Sequence, residues 1–264
     1  MKIGFIGAGN MGGAIVGGMI KSENFKKEDI CVCDKIISDD IKALGVLITD
    51  IESLIKNCDC IVLAVKPSSL EAVLEEIKNI KGYENKLYIS IAAGFTLDSI
   101  KKTMENVKAI RVMPNICLKA LEGMTVMAAN KACIEDDILI AEKIFASCGK
   151  TARVSEGLID SCTAINGSGP AYVFMFMEAL ADAAVKNGIA RDTAYLLAGQ
   201  TVLGSAKLMM DSSIHPGKLK DMVCSPGGTT IEAVAELETK GFRDAVISAV
   251  DACTRKAKKM AKEN

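Results

Sequence analysis

With a single histidine, His215, the chain has little imidazole chemistry to offer. That residue precedes Pro216 and reads as part of a helix start, so a histidine-based triad lacks its base, and a zinc site of several histidines is excluded by count. Neither sign of charge is in excess: 32 Lys and Arg stand against 33 Asp and Glu, a net charge of −1. Aromatic residues make up only 4%, and neither a long basic run nor an aromatic ladder offers a surface for nucleic acid. The partner to expect is a small molecule. The stretch from Ile3 to Ile20 is free of charge but has glycine at seven of its 18 positions. Each glycine costs a helix interior about 0.8–1.0 kcal/mol relative to alanine, so a signal or membrane-spanning helix there would be poorly made, and no membrane role is expected. Cysteine is plentiful, but the ten are spread through a large apolar chain, the pattern of reduced thiols in a cytoplasmic protein.

Half of the residues are apolar, enough for a sizeable core and, at 264 residues, two modest domains. From Lys2 to Ser155 short apolar runs alternate with amphipathic segments, which predicts parallel strands joined by crossover helices. The predicted strands are KIGFIG (2–7), ICVC (30–33), CIVLAV (60–65), LYISI (87–91), VKAIRV (107–112), TVMAA (125–129) and TARVS (151–155). Most are apolar throughout, so helices should cover both faces of the sheet. After Glu156 the strand signals stop, and helices are predicted over 157–165, 170–187, 191–211, 216–223, 227–238 and 241–262. The expected architecture is α/β: a Rossmann-type, doubly wound, mostly parallel sheet over residues 1–155, then an all-helical domain over 156–264. Segments 170–185 and 193–206 are apolar on more than one face, which predicts a homodimer through the helical domain, able to assemble further. Glu178 and Asp182 argue against a membrane there, and a single bundle around a long central helix is the alternative. The basic tail RKAKKMAKEN (255–264) reads as the end of an exposed helix, its lysines suited to the negative end of the dipole.

Gly7-Ala8-Gly9-Asn10-Met11-Gly12 spells G-x-G-x-x-G directly after the first predicted strand and at the head of a helix. In that context each glycine has a purpose: Gly7 permits the tight turn, Gly9 lets backbone approach a diphosphate, and Gly12 lets the helix pack closely on the strand. The free N–H groups of the helix start then face the phosphates. Asp34 lies 22 residues beyond Gly12, at the end of the second predicted strand, where an acid accepts hydrogen bonds from the ribose hydroxyls of NAD and repels a 2′-phosphate. Lys35 beside it offsets that charge, so the cofactor is NADH or NADPH. Cys31/Cys33 and Cys58/Cys60 invite a four-thiolate metal reading. Their strands, however, are expected to flank the first strand, with about 9–10 Å between the pairs, and no metal is expected.

A second glycine loop, Ser225-Pro226-Gly227-Gly228-Thr229-Thr230, lies between helical segments, with Pro226 placed to begin the next helix at or near its first turn. Gly227 and Gly228 expose amides, Thr229 and Thr230 add donors, and a helix N-terminus adds partial positive charge. That combination holds a small carboxylate without an arginine. A capped helix start with no ligand is the alternative reading of the same residues.

NGSGPAYVFMFMEALADAAVKNGI, from Asn166, and HPGKLKDMVCSPGGTTIEAVAELETKGF (215–242) resemble pyrroline-5-carboxylate reductase. GFIGAGNMGGAI, LAVKP (63–67), SIAAG (90–94) and RVMPN (111–115) extend the resemblance, in order, over essentially the whole chain. It implies that NAD(P)H reduces 1-pyrroline-5-carboxylate to L-proline in a dimer whose helical halves complete each other's sites. It also implies that Ser225, Gly227, Gly228 and Thr229 hold the substrate, with the Thr230 hydroxyl near the ring nitrogen as the catalytic group. Glu156 matches a position close to the substrate, although an acid at a helix start reads equally well from the residues alone. The Gly7 to Gly12 loop with Ala8, Asn10 and Met11, the stretch Ala64, Val65, Lys66 and Pro67, and Ala92, Ala93 and Gly94 would line the cofactor, with Pro114 and Asn115 nearby. Two places depart from the family pattern: Ile116-Cys117 stands where Thr-Pro is common, and Asp34-Lys35 where NADPH-preferring members carry serine or Asn-Arg. Two rival readings are a β-hydroxyacid dehydrogenase-like enzyme, with Lys186 as its lysine, and a non-enzymatic NAD(P)H-binding redox sensor.

Overall fold

The computed structural model describes residues 1–263, so Asn264, the end of the predicted basic tail, lies outside the described residues. The chain divides into two compact units, one of Met1–Ser168 joined by the chain from Cys253 onward, the other of Gly169–Ala252.

The first unit is built on one sheet of β1 (Ile3–Ile6), β2 (Ile30–Cys33), β3 (Leu47–Ile48), β4 (Cys60–Leu63), β5 (Leu87–Ser90), β6 (Lys108–Met113), β7 (Gly123–Ala129) and β8 (Gly149–Arg153). The order is β3-β2-β1-β4-β5-β6-β7-β8. From β3 to β6 every neighbouring pair is parallel; β7 runs antiparallel to β6, and β8 is parallel to β7. The reversal has a simple cause, because the connection from Met113 to Gly123 is shorter than the dozen or so residues a parallel crossover needs. The strand β3 is absent from the predicted set: it is a two-residue edge strand with both side chains exposed, so no burial pattern marks it. The other seven match.

Alternation along the parallel strands feeds two cores. Ile3, Phe5, Ile30, Val32, Val62, Ile89 and Ile110 point to the face covered by α1 (Asn10–Lys21), α2 (Asp39–Ala43) and α6 (Glu135–Ala146). Ile6, Cys31, Ile61, Leu63 and Tyr88 point to the other, beneath α3 (Ile51–Asn57), α4 (Pro67–Lys78) and α5 (Leu97–Thr103). Because both faces are dry, the strands read as continuous apolar runs. A further helix, α7 (Glu156–Cys162), belongs to this unit as well: its Ile159 is buried with Met113, Val126 and Ala128. The predicted junction after residue 155 therefore coincides with the end of the sheet, while the compact helical unit begins at Gly169, past a π-helical turn over Thr163–Gly167.

The second unit contains α8 (Gly169–Lys186), α9 (Arg191–Ser212), α10 (Pro216–Val223), α11 (Thr229–Thr239) and the first part of α12 (Phe242–Glu263). Its core is thin: among the described residues only Ala181, Ala194 and Ala198 are buried hydrophobics there. Leu196, Leu203 and Met210, one heptad apart on α9, are 70%, 57% and 53% exposed. No helix among the described residues is long and apolar enough to cross a membrane.

The β7–β8 pairing depends on Gly149, which has φ +145° and faces Gly123, and a Cβ there would run into the Gly123 backbone. Gly149→Ala is expected to cost about 3 kcal/mol or more in chemical denaturation. Gly82→Ala, at φ +92° with no atom within 4 Å of the added Cβ, is expected to cost only the left-handed backbone penalty of about 1–2 kcal/mol.

Candidate active site

The loops after β1, β2, β4, β5 and β6 all leave the same, carboxyl-terminal, edge of the parallel strands, the edge at which open α/β sheets bind ligands. Here Gly7 adopts φ +101°, and an added Cβ would lie 2.6 Å from the Ala64 carbonyl carbon and 2.8 Å from the Val65 nitrogen. Gly12 lies against the Gly7 carbonyl oxygen and, at 3.1 Å from its would-be Cβ, the Ala64 side chain. The two predicted cofactor segments thus meet at backbone contact. Gly9 differs, since nothing lies within 4 Å of the place its Cβ would take. It is also the N-cap of α1, and no side chain caps that helix. An open cradle over uncapped N–H groups is what a dinucleotide diphosphate requires.

Asp34 is held in this region by two backbone bonds: Oδ2 accepts the Ala8 N–H at 2.6 Å and Oδ1 the Ile36 N–H at 3.3 Å. Lys35 is exposed. At the end of β4, Ala64 donates its N–H to the Ile6 carbonyl at 2.8 Å, Lys66 is the N-cap of α4 and Pro67 its first residue. Ala92, Ala93 and Gly94 form the turn after β5, with Gly94 at φ +75°. Pro114 and Asn115 follow β6, and both ends of the Asn115 side chain are bonded: Nδ2 donates to the Asn166 carbonyl at 2.9 Å and Oδ1 accepts the Met124 N–H at 3.2 Å. Ile116 and Cys117, the departure from the family pattern, begin a 3-10 turn over Ile116–Ala120.

A cavity of about 650 Å³ opens at Ala8, Gly9, Asn10 and Asp34 and runs along α1 past Gly13 and Gly17. Its further wall includes Lys21, Ser38 and Lys119, none of them singled out from the sequence. The readable signal for this wall was glycine at 9, 13 and 17 followed by Lys21, a four-residue spacing that lies along one face of a helix.

Glu156 opens α7, and its Oε1 accepts the Leu97 N–H at 2.6 Å at the head of α5. It also lies 3.8 Å from the guanidinium of Arg111, which is buried and bonded to Asp160 at 2.6 Å. Arg111 and Asp160, missed in the sequence, form the ion pair that fastens α7 to β6.

Within the helical unit, Gly227 has φ +65° and Gly228 donates its N–H to the Ser225 carbonyl at 3.0 Å. This closes a turn in which a Cβ on Gly228 would strike Ser225 Oγ. The helix α11 starts at Thr229, two residues after the predicted start at 227: the turn takes up residues 225–228, so Pro226 sits outside the helix instead of at its first turn. No side chain caps α11. His215 is the N-cap of α10, its Nδ1 accepting the Gly217 N–H at 3.1 Å.

Residues 156–260 match the family model described as pyrroline-5-carboxylate reductase dimerisation, and residues 2–94 that described as coenzyme F420-dependent NADP oxidoreductase. The pyrroline-5-carboxylate reductase of Escherichia coli is 44% identical over 267 residues, covering 99% of this chain and 98% of its own. That of Methanosarcina acetivorans is 41% identical over the same shares. The chain belongs to the pyrroline-5-carboxylate reductase family. Among solved structures, the family member from Coxiella burnetii superposes with a TM-score of 0.93 at 37% identity, over 98% of both chains. The member from Plasmodium falciparum, with NADP bound, gives 0.88 at 36% identity over 99% of this chain and 98% of that one. Lys186, on which the hydroxyacid dehydrogenase reading rests, is an exposed residue in the last turn of α8.

The cysteines in this family member depart from expectation at one point. The strands β2 and β4 do flank β1, yet Cys31 and Cys58 interact: Cys58 precedes β4 and shares a core with Cys31 and with Leu54, which lies over the bare backbone of Gly4. Burial, together with the Cys31 thiol, pushes the Cys58 thiol up to about 12, and burial raises Cys60 and Cys148. Thiolate is the reactive form, so at mildly alkaline pH iodoacetamide is expected to leave Cys58, Cys60 and Cys148 unlabelled in the native protein and to label them in denaturant, read by peptide mass spectrometry.

Proposed function

We propose that this chain is a pyrroline-5-carboxylate reductase: it transfers a hydride from NAD(P)H to the C=N carbon of 1-pyrroline-5-carboxylate, giving L-proline in the final step of proline biosynthesis. The observation that carries the reading is identity of 44% and 41% to two such reductases across 99% of the chain, with both glycine loops in place.

In this reading Gly7 to Gly12 and the start of α1 hold the cofactor diphosphate. Ala64 to Pro67, Ala92 to Gly94, and the backbone of Pro114 and Asn115 line its nicotinamide end. When bound, the reduced nicotinamide supplies the hydride. Ser225, Gly227, Gly228 and Thr229 take the substrate carboxylate on the uncapped start of α11, which fixes the ring. A protonated imine carbon is already electrophilic, so positioning carries most of the work, worth about 7–11 kcal/mol in favourable cases. Thr230 holds or delivers the proton that the ring nitrogen must carry. Glu156 enters as a positioning residue through the Leu97 amide and Arg111. The exposed apolar faces of α8 and α9 pair in a homodimer that assembles further, in the cytoplasm, and no nucleic acid or membrane takes part.

Initial rates with pyrroline-5-carboxylate, measured in parallel with NADH and NADPH, test the reaction; no oxidation of either cofactor would refute it. Thr230→Ala is expected to lower kcat about 10²-fold or more with the Kd for NAD(P)H little changed, and an unchanged kcat would remove Thr230 from the mechanism. In sedimentation the wild type is expected as a dimer or a multiple of it, and Leu203→Asp as a smaller species.

A further inference from the structure

The loop from β2 to α2 is acidic where it meets the cavity. Asp34 and Asp40 line the wall, Asp39 is paired with Lys42 at 2.8 Å, and Asp39 and Asp40 occupy the first turn of α2. That helix has five residues, and Ser38 already caps it by accepting the Ile41 N–H at 3.4 Å, so it presents no cradle for a phosphate. The Asp34 carboxylate is not free to swing away, because Oδ2 is tied to the Ala8 N–H, inside the glycine loop, at 2.6 Å. Its Oδ1, with one long bond of 3.3 Å, keeps lone pairs for a hydroxyl donor. Lys35, the residue that might have offset this charge on sequence grounds, is exposed and is not part of the cavity wall.

Two cations do line the cavity, Lys21 and Lys119, but at its other end. Lys21 closes α1, thirteen residues beyond Ala8, which at 1.5 Å per residue is about 18–20 Å along the helix axis. Lys119 sits in the 3-10 turn whose Leu121 side chain lies 3.4 Å from the Cβ position of Gly18, about 13–15 Å beyond the glycine loop on the same scale. Lys21, at its distance, does not reach a group beside Asp34. A ribose placed by the glycine loop therefore meets a fixed carboxylate with a free acceptor, while Lys35 stands outside the cavity wall.

We infer that Asp34 is the specificity-determining residue of the cofactor site and makes this enzyme select the dinucleotide with a free 2′-hydroxyl, NADH, over the 2′-phosphorylated NADPH. The inference rests on the cofactor site proposed above, and its test is independent of imine turnover. Nicotinamide fluorescence titrations of the full chain are expected to give a Kd for NADH about tenfold or more below that for NADPH. Asp34→Asn keeps an acceptor for the Ala8 N–H and removes the charge; it is expected to shrink that ratio about tenfold. Calorimetry with 5′-ADP against 2′,5′-ADP on the wild type is expected to give the same order, and it decides alone if the variant does not fold. Equal or tighter binding of the phosphorylated ligands by the wild type, or an unchanged ratio in Asp34→Asn, overturns the inference. Absence of turnover with pyrroline-5-carboxylate would instead strike the proposed reaction and leave the binding ratio to be read.

Discussion

The dinucleotide-binding unit hangs on one close approach, that of Gly7 and Gly12 to Ala64. At the end of β1 the Gly7 N–H donates to the Cys33 carbonyl at 2.8 Å on one side, while the Ala64 N–H donates to the Ile6 carbonyl at 2.8 Å on the other. Three strand ends are thereby drawn together with no side chain between them. Any Cβ at Gly7 would sit inside the contact radius of the Ala64 backbone. Because the turn is this tight, α1 begins immediately, its uncapped N–H groups open beside Gly9, and the Ala8 amide is left to be taken by Asp34. The open helix start and the place of the Asp34 carboxylate follow from the same turn.

A second constraint lies further along the sheet, where the chain leaves it for the helical unit. Arg111 sits almost wholly buried within β6, and its partner Asp160 comes from α7. A buried ion pair returns little net stability, since desolvation offsets attraction, but loss of either partner strands a charge. Its value here is positional: the pair fixes α7 and so the Glu156 carboxylate that holds the head of α5. Beside it Asn166, in the π-helical turn, donates to the carbonyls of Met113 and Met124 at 2.8 and 3.1 Å and accepts Asn115 on its own carbonyl. Buried amides used this way satisfy backbone groups that the reversal between β6 and β7 leaves unpaired.

The helical unit obeys a different logic. Small residues, Ala181, Ala194 and Ala198, let α8 and α9 approach closely, while their larger apolar residues face outward. Helices with a core of three alanines leave much of their apolar surface exposed. The turn at 225–228 is shaped locally, by Gly227 at φ +65° and by a Gly228 with no room for a side chain before α11.

What the sequence determined by itself is the part written in local chemistry. Apolar runs marked seven strands because a parallel sheet buries both faces; glycine spacing marked the tight turn after β1, since only glycine tolerates the approaches at positions 7 and 12; and the helical half was legible nearly to its boundaries from periodicity, Gly and Pro. What only the tertiary structure decided depends on partners distant in the chain. It turned β7 antiparallel, added β3, moved the start of α11 to Thr229, brought Cys58 to Cys31, and committed Glu156 to Leu97 and Asn115 to Asn166. None of these leaves a trace in composition or period, because a hydrogen bond between residues 59 or 51 positions apart is set by how the layers stack. For the same reason Asp34-Lys35 read as a balanced pair in the sequence, whereas the fold sets Asp34 in the cavity wall and leaves Lys35 in the solvent.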